Sequence, residues 1–98
     1  MYALALIRYR RPLEEVLAQH AAHREYLLGL KARGTLIASG PLDPRYGGAL
    51  LLRLPDGAPP EPALDEVRNG DPYWQAGVAQ YELLAWNVGI GKDDLDRL

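Results

Sequence analysis

The spacing of apolar residues divides the chain into segments of distinct predicted structure. Residues 2–9 form an apolar run of strand length. From residue 13 to residue 34, apolar side chains recur at three- and four-residue intervals, which predicts one amphipathic helix of about five to six turns. Pro12 suits the start of that helix and Gly34 its end. Further runs predict strands over residues 35–39, 49–54 and about 80–88, and a short helix over residues 63–68.

Turn-forming residues separate these segments, and residues 43–48 are dense enough in them to predict a hairpin loop. The resulting order, βαββαβ, is the ferredoxin-like arrangement. It predicts an α+β fold in which two helices cover one face of a four-stranded antiparallel sheet. We expect one domain over residues 1–98, with a charged tail at 91–98 that is loose or forms a short helix.

The predicted strands are apolar on both faces. In the first strand, Tyr2, Leu4 and Leu6 alternate with apolar residues on the opposite face. Because two helices cover only one face of a sheet, the other would expose a large apolar patch, which normally marks an interface. A second copy of the same sheet is the natural cover, so we predict a two-fold homodimer through the sheet face.

Composition excludes several classes of function. The formal net charge is −2, so no excess of basic residues favours a nucleic-acid partner. Cysteine is absent, which rules out disulfides, a thiolate nucleophile and a Cys-ligated zinc site. No apolar run is long enough to span a bilayer and no secretory signal is visible. We therefore predict a cytoplasmic protein with no membrane or nucleic-acid partner.

Three short motifs then stand in a recognisable order. They are HREYLLGLKARG at residues 23–34, SGP at residues 39–41 and DPYWQAGV at residues 71–78. Together they resemble the YciI-like (YCII-related) family, and the resemblance extends from residue 1 to about residue 88. It implies a ferredoxin-like subunit that pairs into a dimeric α/β barrel. It also implies a cleft with a His–Asp pair, here His23 and Asp71. The sequence departs from the family pattern in a second histidine, His20, and in a short loop at residues 43–48.

His23 has two interpretations. It lies one helical turn from Leu27, beside the apolar stripe, where a histidine is often a buried residue bonded to a backbone carbonyl. It could instead be a general base, because an unperturbed histidine titrates near neutral pH. Asp71 is likewise open to two roles. An Asp before Pro72 is a typical helix cap, and the same carboxylate could orient His23, since its two oxygens allow both.

Other candidates are weaker. Ser39 could orient a substrate oxygen or bond to the Gly-Pro turn, and Tyr73 could line a pocket or anchor the Asp-Pro turn. His20 could contact substrate, and Arg45 could clamp an anion or remain solvated. His20 and His23 alone make a poor metal site, so we predict no metal. No phosphate-binding loop or nucleophile motif is present, and we predict no cofactor.

These observations favour a cofactor-independent enzyme in which His23, oriented by Asp71, transfers a proton on a small cyclic or aromatic metabolite. Isomerisation, lactone chemistry and elimination all fit this role. Ser39, His20 and Tyr73 are the predicted substrate contacts. The alternative is a non-catalytic homodimer that binds a small molecule or supports another protein. That alternative predicts a His23 bonded to backbone, with no open cleft leading to it.

Overall fold

The computed structural model describes residues 1–98 and contains one four-stranded antiparallel sheet. Its strands are β1 (Tyr2–Tyr9), β2 (Leu36–Pro41), β3 (Gly47–Arg53) and β4 (Ala79–Trp86). They lie in the order β2-β3-β1-β4, so that β1 lies between β3 and β4, and β4 forms one edge of the sheet. This is the ferredoxin-like topology that the order of elements predicted. The predicted α+β fold class is confirmed.

The long helix predicted over residues 13–34 is broken in two. The structure has α1 (Leu13–Leu17) and α2 (His20–Ala32), and the Gln19 N–H bonds to the Val16 carbonyl in a tighter turn at the break. Val16 is fully buried, whereas Leu13 and Leu17 are each 44% exposed, so they do not join one continuous apolar stripe. Neither Ala18 nor Gln19 is a helix breaker, which is why apolar spacing does not reveal this break.

The remaining helices are α3 (Pro60–Asn69), α4 (Pro72–Gln75) and α5 (Lys92–Asp96). The α3 helix begins three residues before the predicted start, because proline is tolerated in the first turn of a helix. The predicted hairpin loop is also shorter than expected, since Gly47 and Gly48 belong to β3. At Gly47 a Cβ would collide with the Ile7 carbonyl, so this glycine permits close strand packing and not a turn.

The core lies between the sheet and the helices. Ala3, Ala5 and Ile7 of β1 point into it and are almost completely buried. From the helices, Val16, Leu27, Leu30, Leu64 and Val67 complete the same apolar cluster. No helix is long and apolar enough to cross a membrane.

The opposite face of the sheet is apolar and largely open. Leu4 of β1 pairs with Leu51 of β3 and Leu84 of β4 across this face, which we call the open face. Leu84 and Trp86 are 39% and 41% exposed. The tail forms α5, which covers one end of this face: the Tyr2 hydroxyl donates to Asp96 Oδ1 at 2.5 Å. The strands are therefore apolar on both faces of the sheet, as the sequence predicted.

Candidate functional site

The centre of the site is a hydrogen bond between two buried side chains. His23 lies in the first turn of α2, and its Nδ1 is 2.7 Å from Oδ1 of Asp71. The two residues are 8% and 0% exposed. The structure therefore brings together the two residues that the family resemblance paired, although 48 residues separate them in sequence.

Asp71 holds this position because it is also the N-cap of α4. Its Oδ1 accepts a second hydrogen bond from the Tyr73 N–H at 2.9 Å, and Pro72 occupies the first helical position. The cap and the histidine contact thus share one oxygen, where separate oxygens were expected. The other oxygen, Oδ2, accepts a hydrogen bond from the Tyr81 hydroxyl. Three elements, α2, α4 and β4, therefore contribute donors to one carboxylate.

Tyr81 is a neutral donor in this arrangement. Burial, together with the negative charge and hydrogen bond of Asp71, raises the pKa of Tyr81 far above its usual value. The hydroxyl consequently keeps its proton across the physiological range. Sequence reasoning missed this residue. The available signal was a tyrosine on the helix-facing side of β4, because a buried tyrosine hydroxyl usually has a hydrogen-bond partner.

Tyr73 fixes the orientation of the His23 ring. The two rings stack with a centroid distance of 3.8 Å and an angle of 4° between their planes. The Tyr73 hydroxyl reaches 3.1 Å from Nδ1 of His20, the half-buried second histidine. Burial, and secondarily the neighbouring Tyr9, raises the pKa of Tyr73, so this phenol stays protonated and can donate to His20. Tyr73 therefore contacts both histidines, His23 through its ring and His20 through its hydroxyl.

A cavity of about 360 Å³ opens beside these residues, at the lower end of the range for small-ligand sites. It lies between α2 and the β2–β3 side of the sheet. Its apolar walls include Ile7, Leu27, Leu36 and Leu50. The polar and charged side chains that line it are Tyr9, His20, His23, Arg24, Lys31, Ser39, Arg45 and Tyr73. Every predicted site residue except Asp71, which lies behind His23, contributes to the lining.

The loop between β2 and β3 adds a charged group to the cavity. Arg45 Nε donates a hydrogen bond to the Tyr9 hydroxyl at 3.3 Å, which links the loop to the end of β1. Ser39 lies on the exposed part of β2 and lines the cavity. Sequence reasoning considered Arg45 but did not identify Tyr9, Arg24 or Lys31, because their approach to the cavity depends on how α2 packs on the sheet.

The two histidines do not form a metal centre with other residues. Their ring centroids are 6.5 Å apart, and the Nδ1 atom of each already contacts Asp71 or Tyr73. No group of three or more histidine, aspartate or glutamate side chains is placed to hold a metal ion. The arrangement offers instead an imidazole with one nitrogen bonded to a buried carboxylate and a ring that lines a cavity.

Comparison with known proteins agrees with the fold. A solved structure of 5-chloro-2-hydroxyhydroquinone dehydrochlorinase from Burkholderia phenoliruptrix, in complex with 2,5-dihydroxybenzoquinone, is similar to the chain at 25% identity and a TM-score of 0.72. The match covers 91% of this chain and 96% of that one. The comparison with curated proteins gives no match. The family model of the YCII-related domain matches residues 1–87. The chain therefore belongs to the YCII-related, or YciI-like, family.

Proposed function

We propose that the protein is a cofactor-independent enzyme in which His23 and Asp71 transfer a proton on a small cyclic or aromatic metabolite. The observation that carries this proposal is the 2.7 Å contact between His23 Nδ1 and a fully buried Asp71, with the His23 ring lining a cavity. The non-catalytic alternative predicts a histidine bonded to backbone and no open cleft. The contact with a side-chain carboxylate therefore favours the enzymatic proposal.

The chemistry follows from which ring nitrogen remains available. A carboxylate that accepts the Nδ1–H of a histidine fixes the tautomer in which Nε2 has a free lone pair. In the proposed step, Nε2 removes a proton from a carbon or oxygen of the substrate, and the negative charge of Asp71 stabilises the resulting imidazolium. Stacking on Tyr73 holds the ring in one orientation while this happens.

Two reaction types use such a step. In isomerisation, Nε2 returns the proton to another position of the substrate. In elimination, a C–H bond breaks, a C=C bond forms and the leaving group departs with its electron pair. The similar protein from Burkholderia phenoliruptrix is by its name a dehydrochlorinase of a hydroquinone, which supports elimination on a small cyclic substrate. Ser39, His20 and Tyr73 are the proposed substrate contacts.

The decisive test is the loss of His23. We expect His23→Ala to lower turnover about a hundredfold or more on an active substrate from a panel of lactones and chlorinated hydroquinones, because general base catalysis contributes this much. The variant should stay folded, as judged by circular dichroism. The matched control is Glu25→Ala, which truncates an exposed side chain of the same helix outside the cavity and should leave turnover unchanged. Unchanged turnover in His23→Ala would contradict the proposal.

The alternative function remains a small-molecule-binding or accessory homodimer, since the same cavity would also serve a binding protein. Binding of panel compounds without any turnover by the unmodified protein would favour it. Both functions share the same proposed form: one YciI-like domain over residues 1–98, in the cytoplasm.

We also propose that the protein is a homodimer through the open face. The exposed side chains of Leu84 and Trp86, together with Leu4 and Leu51 beside them, form the apolar surface that a second sheet would cover. Leu84→Glu would place a charge within that contact and should yield a monomer in analytical ultracentrifugation. Leu28→Glu is the control, because Leu28 is 55% exposed but lies on α2. Equal masses for both variants would refute this interface.

A further inference from the structure

The charged side chains around the cavity are all of one sign. Arg24, Lys31 and Arg45 line it, and no aspartate or glutamate does. The whole chain carries 13 acidic and 11 basic residues, so this local excess runs against its overall balance. Even when the buried carboxylate of Asp71 behind His23 is counted, the formal charge around the cavity remains positive.

These three cations also have no carboxylate partner of their own. Elsewhere five of the eight other basic side chains form an ion pair with an acidic side chain: Arg8, Arg11, Arg68, Lys92 and Arg97. None of the ion pairs of the chain involves Arg24, Lys31 or Arg45. A cleft lined by unpaired charges of one sign, with low-dielectric walls, concentrates ions of the opposite sign.

The cations stand on two different walls. Arg24 and Lys31 are seven residues apart on α2, which places them two turns apart on the same side of the helix. Arg45 lies on the β2–β3 loop and is held by its hydrogen bond to Tyr9. Between the walls lie the apolar side chains of the cavity. A ligand that fits both features has an apolar ring and an anionic group.

We propose that the ligand of this cavity is a small cyclic or aromatic carboxylate, whose negative charge is attracted into the cavity by the positive charges of Arg24, Lys31 and Arg45. Two of the three cations are arginine, whose planar fork of donors matches the two oxygens of a carboxylate. The apolar ring would lie against the walls near His23. The inference rests on the proposed function, since it names the substrate class of the same site.

The test compares acids with their uncharged amides. Benzoate and benzamide, 2,5-dihydroxybenzoate and its amide, and a cyclohexene carboxylate and its amide have nearly equal shapes and differ in charge. We expect the acid of at least one pair to bind about tenfold or more tightly than its amide at low ionic strength, measured by isothermal titration calorimetry. The advantage should shrink as salt rises, because these cations are exposed.

Single substitutions then assign the effect to residues. Arg24→Gln, Lys31→Gln and Arg45→Gln should each weaken acid binding about threefold or more and leave amide binding unchanged. Arg33→Gln is the matched control: it removes the same charge from the end of the same helix, at an exposed position outside the cavity. Its affinity for the acid should equal that of the unmodified protein.

Three results would overturn the inference: equal binding of acid and amide in every pair, no binding of any acid, or an equal effect of Arg33→Gln and the cavity substitutions. Because binding is measured without turnover, the outcome is independent of the proposed reaction. A carboxylate preference that persists in a protein without proton-transfer activity would support the ligand class and reject the catalytic role of His23.

Discussion

Replacement of Tyr81 by phenylalanine tests the arrangement around Asp71 with the removal of a single oxygen. The Tyr81 hydroxyl donates to Oδ2 of Asp71, a carboxylate that is 0% exposed. The other oxygen has its own donors, His23 and the Tyr73 N–H. In Tyr81→Phe the aromatic ring still fills its place in the core, but Oδ2 loses its partner and cannot reach water.

The expected cost follows from the charge on the acceptor. A hydrogen bond to a charged group contributes about 1.5–3 kcal/mol, and a buried acceptor without a partner loses that amount or more. We therefore expect Tyr81→Phe to lower the free energy of unfolding by about 1.5–3 kcal/mol. Tyr26→Phe is the matched control, because the Tyr26 hydroxyl donates at 2.7 Å to the neutral Val67 carbonyl. That loss should cost only about 0.5–1.5 kcal/mol.

The same substitution changes how stability depends on pH. The pKa of Tyr81 is raised in the folded protein, mainly by burial, whereas in the unfolded chain it is near the ordinary value of 10.0. Its contribution to stability is therefore complete below pH 10 and is lost as pH rises, because the unfolded state alone ionises. Above pH 10 this group steepens the loss of stability by about 1.4 kcal/mol per pH unit. Tyr81→Phe should remove that increment.

Urea unfolding followed by circular dichroism measures both effects, at one fixed protein concentration because any oligomer would make stability depend on concentration. The series compares the unmodified protein, Tyr81→Phe and Tyr26→Phe at pH 7.5 and at several values above pH 10. The reasoning is refuted if Tyr81→Phe costs no more than the control at pH 7.5. It is also refuted if the alkaline slope of Tyr81→Phe equals that of the unmodified protein.

Two further predictions concern the surroundings of the site. A Cβ on Gly70 would lie 2.6 Å from the Tyr26 hydroxyl, so Gly70→Ala should lower the free energy of unfolding by about 1–3 kcal/mol. Gly89 has open space around it, so the control Gly89→Ala should change the free energy of unfolding by less than about 0.5 kcal/mol. Equal urea midpoints for the two variants would contradict this prediction. Tyr73→Phe keeps the ring stacked on His23 but removes the 3.1 Å contact with His20. The proton resonances of the His20 ring should therefore shift in NMR spectra, while the free energy of unfolding falls by no more than about 1.5 kcal/mol. An unchanged His20 signal would show that the contact is absent in solution.

The sequence predicted the fold well because successive side chains of a strand point to opposite faces of the sheet, so the order of residues indicates which face each one occupies. Ala3 and Leu4 show this: they are neighbours in β1 and lie on opposite faces, Ala3 fully buried in the core and Leu4 on the open face. The break between α1 and α2 could not be predicted, since Ala18 and Gln19 are compatible with a continuous helix. Burial of Val16 against the core, which is a tertiary effect, accompanies the break.

The candidate site was predictable only in part. Asp71 before Pro72 predicts a cap from local chemistry alone, and the cap is present. Its contact with His23 spans 48 residues, so no local pattern indicates it, and the pairing came from the family resemblance. Tyr81 and Arg24 reach the site through the packing of β4 and α2, which spacing along one element does not determine. Residues that act across elements are thus the ones that sequence reasoning misses.

The hydrogen bonds of Asp71 also determine which substitution can test catalysis cleanly. Loss of Asp71 would remove the acceptor for Tyr81, the cap of α4 and the partner of His23 together, so a fall in activity would have several causes. Loss of His23 is different, because Oδ1 keeps the Tyr73 N–H and Oδ2 keeps Tyr81. No oxygen of the buried carboxylate is then left without a donor. A large fall in turnover in a His23→Ala variant that stays folded would therefore assign the effect to the imidazole itself.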